Sequence, residues 1–256
     1  MSSASFLFLS PTPPSELLNH ILDHHGHTTT LIICASRADF LASLADGIHH
    51  LNDVPTKHEG ASPDLQHGKR EQEAKTHRLL SSPLCQVAAS RHVRVVCIPT
   101  VTHLRAYLSV FSPDDSRVPA PPAHFKAPGN GRHRIILYGF LEMHRDTSEW
   151  SAQGLGNSAS AVIELAHRLS WQAVVVEPNK HNSVSAFEDV LKEHVPFLSG
   201  GGRRPGPDSE EGAWTGRTVE VGRVMKRWFG FQRGPWDAAL DEDGADPAHD
   251  EISYSG

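Results

Sequence analysis

RIILYGFLEM, residues 134–143, decides how this chain is read. The run is long and apolar enough to predict an interior strand over 134–143. Downstream, apolar residues recur at helical spacing over 156–169, and AVVV at 173–176 predicts a second buried strand. Strand, helix and strand in series make a right-handed βαβ unit. A nucleotide-hydrolysing protein of this build carries G-x-x-x-x-G-K-[ST] after an early strand, where backbone N–H groups and a lysine hold the phosphates. No such string is present. The pair Gly68-Lys69 is followed by Arg70 in a polar stretch, and Ala35-Ser36-Arg37, after an early strand, offers no glycine. The expectation is a nucleotide-enzyme frame without a phosphate-binding loop, with no cofactor and no ATP hydrolysis.

Working outward, residues 6–9 predict a short strand ended by Ser10-Pro11, and 15–22 a helix with Ser15 as N-cap. Residues 30–34 predict a strand. Phe40, Leu41, Leu44, Ile48 and Leu51 keep helical spacing, and 79–89 reads as a short helix. A strand over 93–98 and a helix over 101–110 follow, and later a helix over 184–194. Val221, Val224, Met225, Trp228 and Phe229 predict a closing amphipathic helix. Residues 52–75 are polar, and 112–131 hold five prolines; both read as disordered insertions. The whole predicts one α/β domain over 1–233, a mostly parallel sheet with helices on both faces.

Pro and Gly number 18 and 20 against a hydrophobic fraction of 38%, so a real core is diluted by irregular segments. The net charge of −6 excludes a wholly basic nucleic-acid binder. It averages over an uneven chain, however. Residues 234–256 hold Asp237, Asp241, Glu242, Asp243, Asp246, Asp250 and Glu251 with no Lys or Arg, an acidic, disordered tail. The remainder is close to neutral, so any anion-binding surface must be local. Cys34, Cys85 and Cys97 form no close pair, which fits a reducing compartment. The opening MSSASFLFLSPTPP lacks a basic leader, and no apolar run approaches the roughly 20 residues of a membrane span.

Four constellations carry possible chemistry. Gly154-Leu155-Gly156-Asn157-Ser158-Ala159 matches G-x-G-x-x-A, with Glu177 about 20 residues on, as in a dinucleotide fingerprint and a nicotinamide-dependent oxidoreductase. About ten polar residues separate these glycines from the strand, and Pro178 follows Glu177 at once, so a loop entering a helix is the simpler reading. His20 and His24 stand i, i+4 with His25 and His27 beside them, and His49-His50 is a second pair; without a completing cluster they read as surface histidines rather than metal ligands. Glu142, His144, Asp146 and Glu149 crowd the end of the central strand, where an α/β sheet favours catalytic groups; a solvated polar loop is the preferred reading. The fourth is basic. Arg203-Arg204 lies in a Gly-rich loop, followed by Arg217, Arg223, Lys226, Arg227 and Arg233 among Trp214, Trp228, Phe229 and Phe231. Arginines beside aromatics suit phosphate backbones and stacked bases. Trp228 and Phe229 fall on the apolar stripe, yet their region with Phe231 is also expected to expose a surface completed by a partner. The acidic tail is expected to compete with DNA for the basic surface.

Four segments resemble the RecA/recombinase-paralogue superfamily, in its members without an ATP site, and most of all the small DNA-binding subunits of fungal Shu complexes. They are FLSPTPPSELLNHILDHH (8–25) leading to TTTLIIC (28–34), RIILYGFLEMHRD (134–146) with the serine-containing loop and helix after it, the Arg203-Arg204 loop, and GRVMKRWFGF (222–231). The insertions at 52–75 and 112–131 set this chain apart. The resemblance implies a RecA-like fold and a nuclear, non-catalytic subunit that pairs with a recombinase paralogue. Such a subunit holds DNA through a late basic loop, here Arg203 and Arg204, and serves homologous recombination repair; the charge pattern of this chain adds Arg217, Lys226 and Arg227 to that track. A RecA-like assembly subunit of an Elongator-type tRNA-modification complex is the alternative within the same fold class.

Overall fold

A computed structural model describes residues 5–24, 29–53, 78–81, 83–116, 118–119, 133–179, 186–197 and 217–239. The elements run β1 (Phe6–Thr12), α1 (Pro14–His24), β2 (Thr29–Ile33), α2 (Arg37–Asp53), α3 (Arg78–Ser81), α4 (Leu84–Ser90), β3 (Val93–Cys97), α5 (Val101–Val110), β4 (Arg134–Tyr138), α6 (Phe140–His144), α7 (Ala152–Leu169), β5 (Gln172–Pro178), α8 (Ala186–Lys192), β6 (His194–Pro196), β7 (Thr218–Glu220), α9 (Val221–Met225) and β8 (Gly230–Gln232). Six strands form one sheet in the order β3-β2-β4-β5-β1-β8, parallel throughout. The expected α/β class, a mostly parallel sheet with helices on both faces, is what the chain adopts.

The order follows from the strands' chemistry. Parallel strands covered on both faces are apolar along their length rather than alternating. Accordingly, β2, β4 and β5 fill the middle, with Leu31, Ile135, Leu137, Ala173, Val175 and Val176 fully buried. One face packs Phe8, Ile32, Ile135, Leu137, Ala173 and Val175 against α5, α7 and α9. The other packs Leu31, Ile33, Ile136, Tyr138, Val174 and Val176 against Leu17 and Ile21 of α1 and Phe40 of α2. Crossovers running toward β3 lay their helices on this second face, and those running toward β8 on the first, as a uniform crossover hand requires.

Several boundaries differ from expectation. The strand predicted over 134–143 stops at Tyr138. Gly139 takes a left-handed φ of 81°, and Phe140 already begins α6. Gly139 N–H still reaches the Val176 carbonyl at 2.9 Å, so one residue ends the strand while keeping its last rung. Helix α7 starts at Ala152 under an N-cap from Ser151, four residues before the predicted start. Pro83 divides the helix predicted over 79–89 into α3 and α4. Residues 52 and 53, expected in the first insertion, close α2 instead. The closing helix is cut to Val221–Met225; Phe229 turns into the core and Gly230–Gln232 become β8 beside β1. The rest of the 52–75 insertion, most of 112–131, Arg203, Arg204, Trp214 and the tail beyond residue 239 lie outside the described residues.

Candidate nucleic-acid interface and the carboxyl edge of the sheet

The basic segment is built on a small hairpin. β6 and β7 pair antiparallel, and Phe197 N–H donates to the Arg217 carbonyl at 2.7 Å. Phe197 and Arg217 therefore form the stem from which the chain carrying Arg203 and Arg204 leaves and to which it returns. From Arg217 the chain runs through β7 into α9. Val221, Val224 and Met225 are buried and hold the helix to α7 and α8, whereas Arg223, Lys226 and Arg227 are exposed. Gly222 lets this helix approach closely, since a Cβ there would lie 3.0 Å from the Leu191 carbonyl oxygen. Residues 217–233 hold five basic side chains, Arg217, Arg223, Lys226, Arg227 and Arg233, against the single acid Glu220. All five are exposed. Of the predicted residues, Arg217, Lys226 and Arg227 thus sit on one continuous stretch of hairpin stem and helix, whereas Arg203 and Arg204 lie outside the described residues.

The aromatics of this stretch do not form the exposed surface expected of them. Phe229 is only 2% exposed. Phe231 packs against Phe8 at 5.7 Å and Phe187 at 6.1 Å between ring centroids, and Trp228 lies against α7 beside Gly156. They anchor the basic residues to the core, with Trp228 and Phe231 left half-buried. Burying an aromatic side chain contributes about 2–3 kcal/mol, enough to fix so short a helix.

At the carboxyl edge of the sheet, His144, expected in a solvated loop, is fully buried. Its Nδ1 lies 2.7 Å from the Phe140 carbonyl and its Nε2 lies 2.8 Å from Ser158 Oγ. A carbonyl only accepts, so Nδ1 carries the proton and Nε2 accepts from the Ser158 hydroxyl. Arg105 Nε donates to the same Oγ at 3.0 Å, and its terminal nitrogen binds Glu149 at 2.6 Å and the Gly154 carbonyl at 2.9 Å. Burial lowers the His144 pKa, which keeps the ring neutral. A serine beside a neutral histidine resembles a nucleophile and its base. Here Ser158 has no exposure and its Oγ is engaged as both donor and acceptor, so the pair works as a polar brace between α5, α6 and α7. Ser158→Ala is expected to strand His144 Nε2 and Arg105 Nε, costing about 2 kcal/mol, read as a lower urea midpoint.

Glu177 closes the same edge. Its carboxylate, 3% exposed, accepts from Leu141 N–H at 2.8 Å and Glu142 N–H at 3.3 Å. Burial pushes its pKa up to about 8 despite these bonds. It also raises Cys34, whose thiol is held up first by its own burial. The N–H groups at this strand-to-helix turn therefore already hold an internal carboxyl group. Elsewhere along the edge, Ser36 Oγ takes Asp39 N–H, Thr100 Oγ1 takes His103 N–H and Ser151 Oγ takes Gly154 N–H. Each of these turns is capped by the chain itself.

The dinucleotide fingerprint is corrected on the same grounds. Gly154 and Gly156 lie inside α7, not in a turn at a strand end, and Glu177 is engaged with backbone N–H groups. Glu142 pairs with Arg145, and Arg145 with Glu193, while Asp146 stands exposed at a φ of 55°. The His20 and His24 rings stack at 4.7 Å, and no group of three His, Cys, Asp or Glu able to hold a metal occurs among the described residues. Arg105 and Ser158 were not singled out from the sequence. They lie 53 residues apart, and no local spacing marks them. Among the described residues, no helix is long and apolar enough to cross a membrane.

No family model matches the chain. No curated protein matches it either. Among solved structures, it is similar to a DnaB-like replicative helicase described together with its interactions with primase, at 8% identity and a TM-score of 0.34. The match covers 73% of this chain and 44% of the helicase, so this chain spans less than half of that protein's length.

Proposed function

We propose that this protein is a non-catalytic, nucleic-acid-binding accessory subunit. The observation that carries the reading is the exposed basic stretch over 217–233, whose stem at Phe197 and Arg217 bounds the segment that holds Arg203 and Arg204 in sequence. Arg203, Arg204, Arg217, Lys226 and Arg227 hold the phosphate backbone, and affinity comes from counterion release rather than base readout. The self-capped turns of the carboxyl edge support a role without nucleotide hydrolysis, since a phosphate would have to displace an internal partner at each. The finer reading rests on the resemblance of the sequence to recombinase paralogues: a nuclear partner of another paralogue, promoting homologous recombination repair as Shu subunits do.

The test is salt titration of DNA binding by the chain together with its captured partner. Arg203→Ala with Arg204→Ala should weaken binding about equally across sequences and lessen the salt slope by about two units, one for each lost phosphate contact. Unchanged affinity and slope would remove these arginines from the interface. A complex that binds no DNA at low salt, and whose partner is an Elongator subunit, would replace this reading with the tRNA-modification one.

A further inference from the structure

Half of one sheet face carries no α-helix among the described residues, only the short 3₁₀ turn Pro235–Ala239 at its rim. The connections leaving β1 and β2 both run toward β3, so α1 and α2 cover the β2 and β4 side of that face. Over β5 and β1 there remains a groove with a cavity of about 170 Å³. Its floor is aliphatic, including Leu7, Leu9 and Val174, and Leu7 and Leu9 stay half-exposed. One wall is α1 at His20; the other is the chain after β8, held by a 2.7 Å bond from Gly234 N–H to Ser10 Oγ. The Trp236 ring meets His20 edge-on at 5.7 Å. Arg134 and Arg233 also line the groove and make it cationic.

We propose that the cover of this face is the chain's own C-terminal segment, residues 240–256. The described fold ends at Ala239, three residues beyond Trp236 in the groove wall. The segment reads LDEDGADPAHDEISYSG, with six carboxylates and no Lys or Arg. Leu240 comes first, followed by Asp241, Glu242 and Asp243: an apolar side chain suited to the floor, then three acids suited to the Arg134 and Arg233 guanidiniums. Four extended residues span about 13 Å, enough to cross two or three strands about 4.8 Å apart. Burying Leu240 and the half-exposed Leu7 and Leu9 supplies the apolar gain, and the ion pairs set the direction of the chain. This face is opposite to the one packed by α9, so the segment seats away from Lys226 and Arg227 rather than competing with DNA for them. The inference does not depend on the proposed function.

The experiment is hydrogen–deuterium exchange on the full chain, with the synthetic peptide 240–256 as the free reference. Amides of 241–243 should exchange at least tenfold more slowly than in the peptide, and this protection should fall in 0.5 M salt. Asp241→Lys with Glu242→Lys and Asp243→Lys, which leave the folded domain untouched, should abolish it and speed exchange in β1. Arg134→Glu with Arg233→Glu should do the same, and the two sets combined should restore it. Exchange at the free-peptide rate overturns the proposal, as does protection indifferent to charge reversal. Protection that vanishes on dilution assigns the groove to a second copy and overturns it equally.

Discussion

Gly154→Ala is expected to lower the melting temperature by roughly 6–12 °C, and Gly156→Ala to raise it by a few degrees. Both glycines belong to one G-x-G string, and they sit two residues apart in α7. A Cβ at Gly154 would collide with the carbonyl of Glu149, a backbone group that no rotamer change can move aside. Relief requires displacing the turn that holds Glu149 against Arg105, a cost of about 3 kcal/mol at the upper end of overpacking. At about 2–4 °C per kcal/mol for a chain of this size, that gives the stated fall. At Gly156, the nearest atom to an added Cβ is the Trp228 indole nitrogen at 3.9 Å, which is ordinary contact. There the helix gains about 1 kcal/mol of propensity. Thermal melts of the two variants check the pair. A dinucleotide-binding turn would need both glycines, so equal losses at the two positions would count against their placement inside α7.

The second large effect concerns Glu177 and pH. Burial raises its folded pKa from 4.5 to about 8. Its contribution to stability is therefore complete below about pH 4.5 and is lost as pH climbs through about 8. The full swing is on the order of 5 kcal/mol, because each tenfold change in proton affinity between the folded and unfolded chain is worth about 1.4 kcal/mol. Glu177→Gln keeps the shape of the neutral acid and removes the titration. Urea unfolding at pH 5 and pH 9 should show a large drop for the native chain and a much smaller one for the variant. Parallel lines for the two proteins would mean that the carboxylate is ionised throughout. His20, lowered to about 4 mainly by burial, and His144, lowered by burial, act in the opposite sense. Their stabilisation is present above about pH 6.5 and declines as pH falls. Stability thus narrows from both sides toward the middle of the range.

The middle of the sheet was legible because its strands are apolar along most of their length: TTLII, RIILY and QAVVVEP announce buried parallel strands without any partner being visible. Helix α5 was legible to the residue: the helix expected over 101–110 runs Val101–Val110, its start fixed by the Thr100 side chain accepting from His103 N–H. Gly139 misled the reading of RIILYGFLEM. Phe140, Leu141 and Met143 are as apolar as a strand requires, and only the left-handed backbone at the glycine separates strand from helix. Trp228 and Phe229 misled it again, since helical spacing does not reveal that β1 still lacks a neighbour on its outer side, which Phe231 supplies. The basic residues were visible as a charge pattern. Their common support was not, because β6 and β7 are three residues each and their pairing joins positions more than twenty residues apart. The Arg105, Ser158 and His144 brace is a tertiary arrangement with no local spacing to betray it.

The sheet order also sets a timetable for the nascent chain. β1 is made first, yet it lies between β5 and β8, pairing Phe6 with Ala173 and Phe8 with Phe231. At roughly 5–20 residues per second, its first partner follows it out of the ribosome by on the order of ten to thirty seconds. Throughout that wait FLFL is an unpaired apolar strand with no neighbour of its own chain to join. A ribosome-bound fragment ending after α5 therefore exposes a sticky edge that the finished protein hides, and chaperone capture should peak on such fragments and fall once β5 has emerged.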